Sequence, residues 1–176
     1  FFEVPVDHLF ASTLFAPYLK TKDLTNLVIA APDAGGSKRA NAYSKFLDVD
    51  LALCYKQRKK ANVIENMTII GDVKGKDVVI IDDMIDTAGT LTKSAQLFID
   101  SGAKSVSACC THPILSGPAH ERIENSVLKE LVVTNTIQLT KENSKIKVLE
   151  IADLFSDVMK QHINYKSISK HFVFAN

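Results

Sequence analysis

One stretch, residues 78–90 (VVIIDDMIDTAGT), most constrains how this chain can fold. Four apolar residues run directly into Asp82 and Asp83, and residues 91–99 then show a helical pattern. A continuous apolar run is typical of a strand buried on both faces of a parallel sheet. In open α/β sheets, ligands bind at the carboxyl ends of the strands. We therefore expect the two carboxylates to lie at a ligand-binding site.

The short segment after the carboxylates is suited to an anion. It offers the hydroxyls of Thr87 and Thr90 and the free N–H groups of a helix N-terminus, which favour phosphate. Asp82 and Asp83 would repel a phosphate, so they are better suited to sugar hydroxyls, a divalent cation or both. The stretch thus predicts a site for a phosphorylated sugar with Mg²⁺. The alternative interpretation is purely structural, a strand end followed by a helix cap.

The composition is that of an ordinary globular protein. The 176 residues suffice for one domain, residues 1–176, and 46% of them are hydrophobic and 23% charged. The net charge of +1 gives no reason to expect a nucleic-acid or membrane partner. Three cysteines, two of them inside an apolar run, predict buried thiols in a reducing cytoplasm rather than disulfides. Because the chain opens with Phe1 and lacks the charged start of a signal peptide, we expect a piece of a longer cytoplasmic protein.

The order of apolar runs predicts the architecture. Helical patterns occur near residues 9–19, where Asp7 would be the cap, after Ser37, which would cap the next helix, and over residues 151–163. The alternation of strands and helices predicts an α/β fold with a mainly parallel sheet and helices on both faces. On the buried side of the second helix we expect Ala40, Tyr43, Phe46 and Leu47. Strands are predicted at residues 27–31, 51–55, 67–70, 78–81, 106–110, 130–134 and 147–149.

Two further segments follow strands at the same expected edge of the sheet. The turn at residues 32–37 carries Asp33, where a metal ligand would stand, and two glycines that let the backbone approach a ligand. The run at residues 56–60 holds four cations, which can close over a polyphosphate. Each segment also has a purely structural interpretation. Residues 32–37 would be an ordinary turn, and residues 56–60 would be a solvated hairpin tip. His112, at a later strand end, is either an acid–base group or a hydrogen-bonded strand-end histidine.

Residues 82–90 resemble the ribose-phosphate loop of the type I phosphoribosyltransferase superfamily, whose fold is Rossmann-like. Along nearly its whole length, the chain further resembles one family of that superfamily, the ribose-phosphate pyrophosphokinases. The resemblance implies transfer of diphosphate from ATP to the anomeric hydroxyl of ribose 5-phosphate, dependence on Mg²⁺, and a homo-oligomer that is hexameric in the family. The matching segments are residues 5–11 (PVDHLFA), 32–40 (PDAGGSKRA), 56–62 (KQRKKAN), 82–90, 110–119 (CTHPILSGPA) and 130–135 (ELVVTN).

The resemblance also implies roles for matching residues. Asp82 and Asp83 would hold the ribose hydroxyls, and Lys56 and Arg58 would stabilise the diphosphate as it is transferred. The 5-phosphate would be bound by Asp86, Thr87, Ala88, Gly89 and Thr90. The turn on the diphosphate side of ATP would comprise Asp33, which is linked to Mg²⁺, with Gly35, Gly36 and Lys38. A regulatory site for phosphate and ADP, formed between subunits, would include Asp7, Ser167, Ser169 and Phe172.

The family's first half, which carries ATP-binding residues, has no counterpart in these residues. We therefore expect this chain to be the C-terminal half of a two-domain synthetase. Two other functions stay open. A phosphoribosyltransferase that consumes phosphoribosyl diphosphate would share the loop, but no segment indicates the hood that it needs over a nucleobase. A non-catalytic regulatory subunit or transcription regulator is opposed by the presence of Lys56, Arg58 and Asp33 and by the lack of a DNA-binding segment.

Overall fold

A computed structural model of the protein describes residues 2–57, 66–172 and 174, in which strands and helices largely alternate. The strands are β1 (Leu27–Ala31), β2 (Asp50–Gln57), β3 (Asn66–Ile70), β4 (Asp77–Ile85), β5 (Ser105–Pro113), β6 (Leu128–Thr134) and β7 (Ile146–Leu149). The helices are α1 (Ser12–Lys20), α2 (Ser37–Leu47), α3 (Gly89–Asp100), α4 (Ala119–Glu124) and α5 (Ala152–Ile163). A short 3₁₀ helix covers Ser169–His171.

The strands form a single seven-stranded sheet in the order β3-β2-β1-β4-β5-β6-β7. Neighbouring strands are parallel throughout, except that β3 runs antiparallel to β2 at one edge. The predicted α/β fold with a mainly parallel sheet is therefore confirmed. Because β1, β4 and β5 are parallel neighbours, the segments that follow them meet at one edge of the sheet, where such folds bind ligands.

Strand β4 contributes to a core on each face of the sheet. Val78 and Ile80 pack with Phe98 of α3 in one buried cluster, whereas Val79 and Ile81 belong to a second cluster with side chains of α1 and α2. This alternation follows from the geometry of a strand, in which successive side chains point to opposite faces. The result is a sheet between two layers of helices, as the continuous apolar run predicts.

Both predicted helix caps are wrong. Asp7 is exposed, and α1 begins only at Ser12, with Ala11 in the cap position. At the second helix, Gly36 occupies the cap position and Ser37 is the first helical residue, without a side-chain cap. In place of such a cap, the N–H of Ser37 donates to the carbonyl of Ala34 in the preceding turn (3.3 Å). Helix α2 therefore begins from a backbone turn, without a side-chain cap.

Some side chains also differ from expectation. Tyr43 and Leu47 are buried on α2 as predicted, but Phe46 is 36% exposed. Its ring lies 4.3 Å from the Lys20 ammonium, so a cation–π contact replaces full burial. Helix α4 is absent from the sequence prediction because six residues are too few to show a helical period.

The cysteines are buried free thiols, as predicted. Burial raises the pKa of Cys110 to about 12, so this group stays protonated at neutral pH. Within the described residues, no helix combines the length and the apolar character needed to cross a membrane.

We expect Phe98→Ala to lower the free energy of unfolding by about 3–5 kcal/mol, because Phe98 is fully buried between α3 and the sheet and its removal leaves a cavity. Phe155→Ala is the matched control, since Phe155 on α5 is 46% exposed and should change stability by less than about 0.5 kcal/mol. Denaturant unfolding of both variants is the measurement. Equal losses would contradict the described packing of α3.

Candidate active site

Three loops meet at the carboxyl edge of the sheet. They follow β1, β4 and β5, which are neighbours in the sheet. Strand β4 extends four residues beyond the predicted run, and its pairing with β5 continues to Ile85 opposite Pro113. Asp82 and Asp83 therefore belong to the last part of β4, at the edge where the sequence places them.

Arg39 joins the two carboxylates. It belongs to the first turn of α2, directly after the turn that carries Asp33. Its guanidinium lies 2.8 Å from Oδ2 of Asp83 and 3.5 Å from Oδ1 of Asp82. The backbone N–H of Asp83 also donates to Oδ1 of Asp82 (2.9 Å). Arg39 has no predicted role, because only the crossover from β1 through α2 brings its side chain beside β4.

The acid pair has an unusual ionisation. The pKa of Asp82 is raised to about 7, first by desolvation and then by its hydrogen bond with Asp83, while Arg39 opposes the rise. The pKa of Asp83 is lowered even though partial burial would raise it, because Asp82 and Arg39 stabilise its ionised form. Asp82 therefore takes up a proton more readily than an ordinary carboxyl, while Asp83 stays ionised beside Arg39.

This charge balance bears on what the pair can bind. A dication gains little from two carboxylates that already contact a guanidinium. Hydroxyl groups gain more, because the carboxylate oxygens accept hydrogen bonds. The arrangement at Asp82 and Asp83 therefore favours sugar hydroxyls over a metal ion.

The loop after β4 leads into the N-terminus of α3. Asp86, Thr87 and Thr90 are exposed, whereas Ala88 is buried with φ of +58°. A left-handed conformation is unfavourable for alanine, and such backbone strain is concentrated at functional sites. The first N–H groups of the twelve-residue α3 have no carbonyl one turn earlier within the helix. The exposed hydroxyls and these N–H groups together suit a phosphate.

The turn after β1 presents a carboxylate beside this loop. The N–H of Gly36 donates to Oδ1 of Asp33 (3.0 Å), so one carboxylate oxygen is fixed while the side chain stays exposed. A Cβ at residue 35 would lie only 3.2 Å from that oxygen, which explains why Gly35 suits this position. Lys38 is exposed on the first turn of α2. The buried Ser94 of α3 donates to the carbonyl of Pro32 (3.4 Å), which links the turn to α3.

Comparison with known proteins identifies the family. The profile of the family described as "Phosphoribosyl synthetase-associated domain" matches residues 58–173, about two thirds of the chain. The chain belongs to the phosphoribosyl synthetase family. The segment at residues 82–90 and much of the sheet fall inside the matched range.

Relatives of the phosphoribosyl synthetase family are similar over almost the entire chain. The ribose-phosphate pyrophosphokinase of Wolinella succinogenes is 51% identical over 173 residues, which cover 98% of this chain and 56% of the relative. That of Porphyromonas gingivalis is 48% identical over 175 residues, which cover 99% and 56%. The chain thus spans a little over half the length of the curated relatives it matches.

Solved structures agree with this membership. The phosphoribosylpyrophosphate synthetase of Mycobacterium smegmatis is 33% identical, with a TM-score of 0.85, over 93% of this chain and 54% of that one. A purine phosphoribosyltransferase of Pyrococcus horikoshii is 23% identical, with a TM-score of 0.52, over 80% of this chain and 84% of that one. The second likeness shows the fold alone, which is the predicted type I phosphoribosyltransferase-like fold.

The phosphoribosyl synthetase resemblance implies Mg²⁺, and the residues present fit a partial site. Among the described residues, no group of three or more His, Cys, Asp or Glu side chains is placed to hold a metal ion. Asp33 offers one exposed carboxylate, and Mg²⁺ is commonly bound by one or two carboxylates together with substrate phosphates and water. Asp33 would therefore hold the ion only jointly with a bound polyphosphate.

The two predicted loop cations are only partly described. Lys56 belongs to β2, so its backbone is placed in the sheet, while Arg58 lies outside the described residues. His112 lies near the end of β5, where its Nδ1 is 3.0 Å from the Thr136 hydroxyl. This contact corresponds to the hydrogen-bonded strand-end histidine, the plainer of its two interpretations.

The residues of the predicted regulatory site lie in the N-terminal segment and the tail. Asp7 is exposed, and the Ser167 hydroxyl donates to that of Ser169 (3.0 Å). The tail is fixed at both sides, because Thr13 of α1 donates to the carbonyl of His171 (2.8 Å) and His171 Nε2 lies 2.7 Å from Asp157 of α5. Phe172, next to His171, is half-buried. The start of α1 and the tail are therefore neighbours, and the regulatory role stays a prediction.

We expect Asp82→Asn to change how stability depends on pH. The pKa of Asp82 is raised in the folded state, so the wild-type protein should lose stability as pH rises from about 4 to about 7, while the variant lacks this loss. Over that pH range, the free energy of unfolding of the variant should therefore rise relative to that of the wild type by a few kcal/mol. Above about pH 7, the difference in free energy of unfolding should be constant. Urea unfolding at several pH values measures it.

Asp83→Asn is the matched comparison for this experiment. Asp83 is 61% exposed and its pKa is lowered, so its ionised form stabilises the fold. Asp83→Asn should therefore not raise the free energy of unfolding at neutral pH. A pH profile of Asp82→Asn that parallels the wild type would contradict the described acid pair.

Proposed function

We propose that this chain carries the sugar-phosphate side of the active site of a ribose-phosphate pyrophosphokinase. The reaction would transfer the β,γ-diphosphate of ATP to the anomeric hydroxyl of ribose 5-phosphate, giving phosphoribosyl diphosphate and AMP. The observation that carries the proposal is the convergence of a charge-balanced acid pair, a phosphate-suited loop and an exposed carboxylate at one edge of the sheet. The names of the relatives, 45–51% identical, support it.

The acid pair would orient the sugar. With Arg39 balancing their charge, Asp82 and Asp83 would accept hydrogen bonds from the ribose hydroxyls while the loop at residues 86–90 binds the 5-phosphate. Fixing the ribose at both ends aligns its anomeric hydroxyl for in-line attack on the β-phosphorus. A bond forms between the anomeric oxygen and the β-phosphorus, and the hydroxyl proton is released to solvent. The bond from the β-phosphorus to the oxygen that bridges the α- and β-phosphates breaks, and AMP leaves with the bridging oxygen.

The remaining groups would balance the charge of the diphosphate. Mg²⁺, when bound with the diphosphate at Asp33, would neutralise part of its negative charge. Lys38 on the first turn of α2 would face the same phosphates, and Lys56 and Arg58 would stabilise the charge that is redistributed during transfer. The ATP-binding residues would come from a second domain and a neighbouring subunit, so we further propose that this chain is the C-terminal half of a homo-oligomeric, cytoplasmic enzyme.

Two other functions give different products. A phosphoribosyltransferase shares this fold, and would join the ribose phosphate of phosphoribosyl diphosphate to a base with release of diphosphate. A non-catalytic subunit would bind ligands without turnover. Incubation of the full-length protein with ATP, ribose 5-phosphate and Mg²⁺ separates all three, since only a pyrophosphokinase releases AMP at the rate at which phosphoribosyl diphosphate appears.

We expect Lys56→Ala in the full-length protein to lower the rate of AMP release on the order of 10²–10³-fold, because a cation that acts on the transferring group contributes mainly to the transition state. The KM for ribose 5-phosphate should change little. Lys129→Ala is the matched control, since Lys129 is exposed near the start of β6, away from the carboxyl edge of the sheet. Unchanged turnover in Lys56→Ala would refute the catalytic role of Lys56.

We expect Thr87→Val and Thr90→Val each to weaken binding of ribose 5-phosphate by about 1–3 kcal/mol, because a charged phosphate would lose a hydroxyl donor while the side-chain shape is kept. Calorimetric titration of the full-length protein is the measurement. Thr68→Val, an exposed position on β3, serves as the control. If both variants bind ribose 5-phosphate with wild-type affinity, the hydroxyls do not bind phosphate and the segment is only a helix cap.

A further inference from the structure

The carbonyl groups of the ribose-phosphate loop are held by one neighbouring segment. The carbonyl of Ile85 accepts a hydrogen bond from the N–H of Leu115 (3.1 Å), and that of Asp86 accepts one from the N–H of Ser116 (3.0 Å). The carbonyl of Thr87 accepts from Nη1 of Arg122 (2.9 Å). Three successive carbonyls therefore bind to residues 115–122, the loop after β5 and the start of α4.

This pattern matters for an anion because carbonyl oxygens carry partial negative charge and would repel a phosphate. When the three carbonyls bind residues 115–122, the loop keeps its N–H groups and hydroxyls for the ligand. The next carbonyl, of Ala88, is also occupied, since the N–H and the hydroxyl of Thr92 both donate to it (3.0 and 2.9 Å).

The arrangement also holds two strained residues. Ala88 and Leu115 have φ of +58° and +50°, in the left-handed region that is unfavourable for residues with a Cβ. Both side chains are buried in the same core cluster, at 4% and 6% exposure. Packing and the hydrogen bonds to residues 115–122 therefore maintain a backbone conformation that these residues disfavour on their own.

Arg122 is the one of the three donors that uses a side chain. It is exposed on α4 and reaches over the loop, so that a Cβ at residue 89 would lie 3.4 Å from its Nη1. Gly89 is not among the residues with positive φ, and the 3.4 Å distance is an ordinary van der Waals contact. The guanidinium therefore holds the carbonyl of Thr87 and covers Gly89 at the same time.

We propose that Arg122 is a positioning residue for sugar-phosphate binding: it holds the Thr87 carbonyl away from the ligand so that the N-terminus of α3 can bind the 5-phosphate. This inference rests on the proposed function, because it concerns the same loop. It adds a residue from a different element, α4, whose contribution the loop motif itself does not reveal.

The first test is a comparison of steady-state constants in the full-length protein. Arg122→Met should raise the KM for ribose 5-phosphate about tenfold, the loss expected when a hydrogen bond to a charged donor no longer orders the loop. The turnover number should stay within about twofold and the KM for ATP should not change, because uniform binding of one substrate is affected. A merely structural role would instead lower the amount of active enzyme at constant KM.

Two further variants control this comparison. Arg122→Lys keeps a long cationic donor, and because the contact uses a single nitrogen, it should recover most of the lost affinity. Glu121→Gln changes an exposed charge on the same helix and should leave both constants unchanged. Failure of Arg122→Lys to improve on Arg122→Met would overturn the proposal.

The second test is a calorimetric titration of the wild type, Arg122→Met and Arg122→Lys with ribose 5-phosphate. The dissociation constant should rise about tenfold in Arg122→Met and recover in Arg122→Lys, because the hydrogen bond to the Thr87 carbonyl affects binding rather than turnover. An unchanged dissociation constant in Arg122→Met would overturn the proposal.

These outcomes separate the inference from the function on which it rests. If the wild-type protein binds no ribose 5-phosphate, both fail. If it binds and turns over the sugar while Arg122→Met has an unchanged KM, or loses only turnover, then the positioning role fails and the proposed function stands.

Discussion

Strand β4 is buried on both faces, and this constraint sets the position of the site. The side chains of residues 78–81 alternate between two cores, so a charged residue is not accommodated within this part of the strand. Asp82 and Asp83 are the first carboxylates after that buried run. The neighbouring strands β1 and β5 are parallel to β4, so the loops that follow all three strands begin at the same edge. The polar side chains of these loops therefore lie near one another.

Electrostatic compensation is the second principle of the site. Two adjacent carboxylates would repel each other, and the guanidinium of Arg39 offsets the charge of both, while desolvation raises the pKa of Asp82. The same arginine connects α2, and with it the turn that carries Asp33, to the end of β4. The ion pairs of Arg39 therefore join the turn that carries Asp33 to the acid pair at the end of β4.

A third feature is that the loop is not stable through its own residues alone. Its carbonyls bind residues 115–122, and Ala88 keeps a left-handed conformation because its side chain is buried. A loop of this kind can present free N–H groups to a ligand because the rest of the molecule satisfies its acceptors. The conformation of this loop therefore depends on residues 115–122, which lie outside the motif.

The sequence by itself determined the class of fold, the segments that form most of its strands and the place of Asp82 and Asp83 at the end of a buried strand. The apolar run at residues 78–81, the acids that follow and the alternation of strands and helices depend on local periodicity, which is visible in one dimension. The family resemblance, later supported by the comparisons, rests on the same local motifs. The wrong helix caps at Asp7 and Ser37 show the limit of local reasoning, because backbone turns can replace a side-chain cap.

Only the tertiary structure decided which distant side chains complete the site. Arg39 and Arg122 are 43 and 40 residues from Asp82 along the chain, and nothing in their local sequence marks them as its neighbours. Their roles arise from the crossovers that bring α2 and α4 to the carboxyl edge, and from the shift in the ionisation of Asp82 that burial causes. Local patterns specify elements, whereas charge balance and the hydrogen bonds of a loop depend on groups that meet only after folding.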